Sequence, residues 1–249
     1  KAGIFRRGRP AVCADAQPPA SLLERAHAFD VPLTLMGRDY GYAAGDGQWE
    51  YQGPGGPRHA LPWPALRGAF QLANAATALA VLGLLRVRLP VSSGAIRDGL
   101  CGVELAGRFQ VLPGRPVIVL DVAHNPHAAR ALEATLGAMG YFPRTIAVFG
   151  MLGDKDIKGV AAAVRERVDR WFVATLPGPR GADAAAVRAA LVAADVAEAT
   201  IRTFDAVPPA LAAAQAEADG ADRIIVFGSF LTVAAALAAV QSDASSRHG

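Results

Sequence analysis

The chain has 249 residues, 52% hydrophobic and 19% charged, enough apolar material for one large domain or two ordinary ones and too much for wholesale disorder. Its net charge of +3 is scattered, and the one dense basic cluster, Arg6, Arg7 and Arg9, reads as a solvated loop, so no nucleic-acid partner is expected. Cys13 and Cys101 lie outside any metal or redox spacing and the amino-terminal stretch has no apolar signal core, which points to a reduced, cytoplasmic protein.

In chain order, residues 10–14 form a short apolar strand candidate. Ser21-Leu-Leu-Glu24 has the capping-box pattern and opens a helix through Ala28. Residues 31–36, 40–44 and 48–52 read as strands of a meander, separated by Gly and Asp turns. Gly53-Pro-Gly-Gly-Pro57 is a loop. A helical pattern runs over 70–85; its apolar stretch is too short to span a bilayer, so no membrane partner is expected. Ser92 or Ser93 suits the cap of a further helix to about residue 100.

The later part is more regular. Strand-like runs rich in Val, Ile and Phe at 117–121, 145–149, 171–174, 200–204 and 224–227 alternate with helical stretches at 126–139, 156–168, 182–194, 206–218 and 230–241. This alternation predicts an α/β fold with a mainly parallel sheet covered on both faces, because right-handed crossovers lay helices over buried strands. Ligands in such folds sit beyond the carboxyl ends of the strands, so the residues following each strand carry the candidate chemistry.

The richest such segment is Asp121-Val-Ala-His-Asn-Pro-His127. Asn125 as N-cap and Pro126 in the first turn mark a strand–turn–helix junction. Asp121 can accept hydrogen bonds from ribose hydroxyls, and His124 can bind a carboxylate or orient a phosphoryl oxygen beside an anion-favouring helix start; alternatively, the segment only caps a helix. Arg108 in Gly107-Arg-Phe-Gln110 could reach a nucleotide phosphate or simply be solvated. Gly150-Met-Leu-Gly-Asp-Lys-Asp156 follows the second of these strands and is either a loop at a site mouth or a generic turn. Ser229 in Gly228-Ser-Phe-Leu231 either caps a helix or binds a substrate carboxylate. Asn74, polar within an apolar helix, is either a buried, satisfied amide or a contact to adenine.

Taken together and in order, Lys1-Ala-Gly-Ile4, Asn74-Ala-Ala-Thr-Ala78, Gly107-Arg-Phe-Gln110, Asp121-Val-Ala-His-Asn-Pro126, Gly150-Met-Leu-Gly-Asp-Lys-Asp156 and Gly228-Ser-Phe-Leu231 resemble the motifs of folylpolyglutamate/dihydrofolate synthases of the Mur ligase superfamily. The resemblance spans nearly the whole chain. It implies that residues 1–112 are the carboxyl-terminal part of a central P-loop-type ATPase domain and that 113–249 are the Rossmann-like Mur ligase C-terminal domain. It also implies ATP and Mg²⁺ as cofactors, with Asn74, Arg108 and Asp121 contacting ATP and His124 and Ser229 at the catalytic cleft on the glutamate side. Lys1 matches a lysine that is carbamylated and helps bind magnesium, the carbamate being a hard oxygen ligand. Where relatives often carry Tyr or His, this chain has Leu231, so a polar contact there is not expected.

The implied reaction activates the carboxylate of dihydropteroate or a folate as an acyl phosphate, which L-glutamate then attacks through its amine. A monomer is the default the resemblance carries. The phosphate-cradling G-x-x-x-x-G-K-[ST] loop of such enzymes has no counterpart, since no Gly-Lys pair occurs in the sequence. An amino-terminally truncated chain, inactive in ligation by itself, is therefore expected. The alternatives are another Mur-type amino-acid ligase and a non-catalytic nucleotide-binding α/β module.

Overall fold

The computed structural model describes residues 1–68 and 70–246. Residues 69 and 247–249, which fall within the expected domain ranges, lie outside the described residues. The chain divides into two compact units, one of Lys1–Ala65 and Ala69–Glu104, the other of Leu66–Gly68 and Leu105–Gly249.

In the first unit, β1 (Ala11–Cys13) and β2 (Leu33–Leu35) pair in parallel, joined by α1 (Ala20–Ala28), and β3 (Gly41–Ala44), β4 (Gln48–Gln52) and β5 (Arg58–Pro62) form a separate antiparallel sheet. The expected meander is thus redrawn. The 31–36 segment leaves it for β1, because the intervening helix supplies a crossover that lets the two strands run the same way. Its place is taken by β5, which sequence reading missed because Pro57 before it and Pro62 at its end disguise a strand; within it Ala60 is left-handed (φ 52°). On β4 the alternation is clean: Trp49 and Tyr51 are buried between exposed Gln48, Glu50 and Gln52, and Trp49 Nε1 donates to the Pro62 carbonyl at 2.7 Å.

Two helices, α2 (Gln71–Leu84) and α3 (Ser93–Gly102), complete this unit. Ser92 is the cap of α3, its Oγ accepting the Ala95 N–H at 3.1 Å. The capping box at Ser21 is not formed: α1 starts at Ala20 behind Pro19, so Ser21 already lies inside the first turn.

The second unit is a six-stranded sheet in the order β10-β9-β8-β11-β7-β6, built from β6 (Gln110–Leu112), β7 (Val117–Asp121), β8 (Thr145–Phe149), β9 (Arg170–Ala174), β10 (Ile201–Phe204) and β11 (Arg223–Phe227). All pairings are parallel except β6 with β7. Helices α4 (Pro126–Gly137), α5 (Ile157–Val164), α6 (Ala184–Val192), α7 (Val207–Glu217) and α8 (Phe230–Ser246) follow successive parallel strands. Because β6 pairs with β7, residues 105–112 group with the second unit, whereas the resemblance implies a boundary at 112/113.

Period-two alternation on buried strands splits the core into two layers. Ala147 and Phe149 face one side, with Trp171, Val173, Ile225 and Phe227. Ile146 and Val148 face the other, with Phe172, Ile224 and Val226. Each fully buried aliphatic or aromatic side chain contributes at most about 1.5–3 kcal/mol of transfer free energy, which is why the continuous apolar runs specify this sheet. Phe149 and Phe227 pack with ring centroids 4.7 Å apart. Among the described residues, no helix is long and apolar enough to cross a membrane.

Candidate functional site

The insertion of β11 between β7 and β8 brings the carboxyl ends of these three strands side by side. The loops after them begin at Val122, Gly228 and Gly150, so the Asp121, Ser229 and Gly150 motifs converge although they are remote in sequence. This is the point of an open parallel sheet where ligand chemistry is expected.

Asp121 ends β7. One of its carboxylate oxygens accepts the Ala123 N–H at 2.8 Å and the other the Phe109 N–H at 2.9 Å. Burial raises the pKa of this carboxyl above the ordinary aspartate range; the N–H groups of Ala123 and Phe109 and the charge of Arg108 oppose that rise. The bond to Phe109 anchors the Gly107–Gln110 turn. Gly107 has φ 69°, donates its N–H to Gln110 Oε1 at 3.1 Å and accepts the Val122 N–H at 2.8 Å. A Cβ at Gly107 would meet Val122 Cγ1 and Val233 Cγ1, each at 2.9 Å, so the turn requires glycine both for backbone and for space. Its product is an Arg108 that stands exposed beside Asp121.

Asn125 caps α4 as the sequence indicates, its Oδ1 accepting the Ala128 N–H at 2.9 Å, with Pro126 in the first turn. His124 is half-buried, and its Nδ1 lies 2.9 Å from the Val122 carbonyl oxygen. A carbonyl only accepts, so Nδ1 carries the proton of the neutral ring and Nε2 keeps its lone pair.

Ser229 is the N-cap of α8. It is 3% exposed, and the single proton of its hydroxyl is committed. Thr232 Oγ1 donates to the Gly150 carbonyl at 2.7 Å, Ser229 Oγ accepts the Thr232 N–H at 3.0 Å, and the remaining Ser229 proton goes to Thr232 Oγ1 at 2.8 Å. Of its two sequence readings, the cap is the one this geometry contains. Gly228, at φ 113°, leaves no room for a side chain against Gly150, Met151 and Phe149.

Phe230, which sequence reading did not single out, lies among these groups. It is 58% exposed, the Arg108 Cζ is 5.5 Å from its ring centroid, and the His124 ring is centred 6.4 Å away at a 46° tilt. Thr232 was missed as well; the only signal for it was its position three residues after a serine at a strand end.

The structure therefore brings Arg108 and His124 together around Phe230, with Asp121 beside Arg108. Asn74 and Lys1 belong to the first unit. Asn74 is exposed rather than buried, because it falls on the outer side of α2, where its Nδ2 donates to Gln71 Oε1 at 3.1 Å. Lys1 is exposed and precedes a single helical turn, Ala2–Ile4. Among the described residues no three His, Cys, Asp or Glu side chains are grouped to hold a metal ion. In the loop after β8, Asp156 caps α5 through Gly159 N–H at 2.8 Å and Asp154 pairs with Arg180 at 2.9 Å. A cleft of about 690 Å³ lined by Thr175, Asp183, Arg188, Glu198 and Phe204 lies elsewhere in the second unit and includes none of the candidate residues.

Fold and site together define the class: residues 107–230 match the Mur ligase, glutamate ligase domain family. Over 94% of its length the chain is 39% identical to the dihydrofolate synthase/folylpolyglutamate synthase of Escherichia coli (strain K12), of which it covers 52%. It superposes with a TM-score of 0.85 and 38% identity on E. coli FolC in complex with DHPP and ADP, covering 97% of this chain and 55% of that one. A bifunctional folylpolyglutamate synthase/dihydrofolate synthase with Mn, AMPPNP and L-glutamate bound gives a TM-score of 0.84 at 42% identity, covering 96% of this chain and 55% of that one. The chain belongs to the dihydrofolate synthase/folylpolyglutamate synthase family of Mur ligases. It spans about half the length of the relatives it matches.

Proposed function

We propose that these residues form the nucleotide-closing and glutamate-facing side of an ATP-dependent ligase that adds L-glutamate to dihydropteroate and to folates. The observation that carries this reading is the meeting of Arg108, Asp121 and His124 at adjacent strand ends in a chain 39% identical to a dihydrofolate synthase/folylpolyglutamate synthase. Relatives of the family bind ADP, DHPP and L-glutamate, which are the ligand types such a surface suits. In this reading the first unit is part of the central ATPase domain and the second is the Mur ligase C-terminal domain.

The residues fit a nucleotide. Each Asp121 oxygen takes one backbone N–H and keeps acceptor capacity for ribose hydroxyls. Arg108 offers a planar, permanently charged fork to a phosphate. Asn74, exposed on α2, presents an amide of the kind that reads an adenine edge. His124 accepts at Nε2, so it can hold the amine of glutamate and take its proton when that amine attacks the acyl phosphate formed from ATP and the substrate carboxylate. Phosphate then leaves from the tetrahedral intermediate. Ser229 acts on this cleft by fixing the start of α8 rather than through a free hydroxyl.

A magnesium ion would offset charge on the transferring phosphoryl. Lys1, once carbamylated, would give it one oxygen ligand; that is not a metal site in itself, and the described residues group no others to complete one. Residues 1–249 also contain no G-x-x-x-x-G-K-[ST] loop, so ligation by these residues unaided is not expected. The reading is of a cytoplasmic, monomeric protein acting on small molecules.

Steady-state kinetics of the natural polypeptide carrying these residues test the assignment. Arg108→Ala should raise the KM for ATP by about 10–100-fold, the scale of a charge-assisted bond. His124→Ala should instead lower kcat by about 100-fold or more and weaken glutamate dependence. Unchanged ATP dependence in the first variant would contradict the role of Arg108.

A further inference from the structure

We infer that Phe230 is a positioning residue whose exposed ring sets the spacing of the Arg108 guanidinium and the His124 imidazole; this rests on the nucleotide reading of the same site. The three side chains come from three different segments, the turn before β6, the loop after β7 and the start of α8, and both Arg108 and His124 approach this ring. The Arg108 turn and the His124 segment are tied to each other through Asp121 and Gly107, and the start of α8 is held separately. The Phe109 N–H bond to Asp121 holds the Arg108 turn, the Val122 carbonyl holds the His124 ring, and the Ser229–Thr232–Gly150 chain of hydrogen bonds holds the first turn of α8.

Core packing does not explain Phe230. The inward side of α8 is formed by Val233 and Ala236, which are buried, whereas Phe230 remains 58% exposed. An aromatic face attracts a guanidinium through its quadrupole and also gives the imidazole an edge to lean on. Without the ring, Arg108 would keep its charge but lose its fixed direction, and two basic groups would share a surface with nothing between them. Leucine would preserve the apolar volume at this position but not the π face, so Phe230→Leu separates positioning from simple packing.

The test is NMR on this 249-residue chain, paired with ADP titration of the natural polypeptide carrying these residues. In Phe230→Leu the ring protons of His124 and the Nε–H of Arg108 should lose their ring-current shifts, with the rest of the spectrum unchanged, and ADP affinity should fall about two- to fivefold, the size of an exposed cation–π contact. Phe230→Tyr and Phe230→Trp should restore both. In an Arg108→Ala background, Phe230→Leu should produce no further loss of affinity, because the ring acts through that arginine. Wild-type shifts and affinity in Phe230→Leu, or an undiminished loss in the Arg108→Ala background, would overturn the inference. If wild type shows the ring-current shifts but the natural polypeptide carrying these residues does not bind ADP, the nucleotide reading fails, and the functional part of the inference fails with it.

Discussion

The carboxylate of Asp121 holds the backbone N–H of Phe109 at 2.9 Å, tying the end of β7 to a turn that starts before β6. Phe109 has φ 46°, a left-handed conformation unusual for a residue with a side chain, so this bond stabilises a backbone that would otherwise relax. The same carboxylate is the proposed ribose acceptor. Structure and ligand binding therefore draw on one group.

Asp121→Asn keeps the shape but leaves an NH₂ facing one of two N–H donors, so it should cost about 1–3 kcal/mol in urea denaturation. The pH dependence has a definite sign. The folded carboxyl titrates above the ordinary aspartate value, so the folded state binds its proton more tightly than the unfolded chain does. That contribution is fully present below the unfolded value of about 3.9 and is lost as pH rises through the raised folded value. The stability gap between wild type and Asp121→Asn should therefore widen as pH falls from 7 towards 4. A gap that stays constant or narrows contradicts this account of the site.

The cap of α8 gives a second expectation. Thr232→Val is nearly isosteric but strips the donor to the Gly150 carbonyl and the acceptor for Ser229. A loss of about 1–3 kcal/mol should follow, from the Gly150 carbonyl and the Ser229 proton left without these partners. Ser229→Ala removes an N-cap and should cost about 0.5–2 kcal/mol. The double variant should lose less than the sum, because both changes break one network.

Glycine substitutions should divide sharply. Gly228→Ala combines φ 113° with a Cβ that meets Met151 Cγ at 2.9 Å and Phe149 Cε2 at 3.0 Å, both fully buried. Backbone strain alone costs about 1–3 kcal/mol, and the clash adds to it, so the thermal midpoint should drop severely. Gly99, inside α3, has open space around a new Cβ. Gly99→Ala should stabilise that helix by up to about 1 kcal/mol.

At the opposite end of the sheet, Arg144 grips Asp222 at 2.6 Å. Burial pushes the Asp222 carboxyl up, but the Asp219 N–H and the Arg144 guanidinium outweigh it and the net shift is down. A depressed carboxyl stabilises the fold above the unfolded value of about 3.9 and loses that contribution as pH falls through its folded value. Asp222→Asn should be destabilised at pH 7 by about 1.5–3 kcal/mol, with the deficit shrinking below pH 4 in acid unfolding curves.

The second unit was legible in the sequence because its strands are buried on both faces: runs such as Ile146–Phe149 and Ile224–Phe227 admit little else, and Asn125 with Pro126 writes the start of α4 openly. Two short edge strands were not legible: Gln110–Leu112 and Arg58–Pro62 carry no long apolar run, and their pairing depends on partners elsewhere in the chain. At the site, Asp121 and His124 could be found from their place after a strand. The commitment of Ser229 could not, since it depends on Thr232 and on Gly150, 79 positions away by numbering (229 − 150). Nor could Phe230, because apolar character alone suggests burial, whereas the start of α8 turns this ring outward.

The most direct measurement is ADP formation by the natural polypeptide carrying these residues, supplied with ATP, magnesium and glutamate and offered either dihydropteroate or a UDP-muramyl substrate. The account predicts ADP release that requires both dihydropteroate and glutamate, yields the glutamylated product and does not occur with the muramyl compound. Turnover of the muramyl substrate instead, or ADP release indifferent to both acceptors, would contradict it.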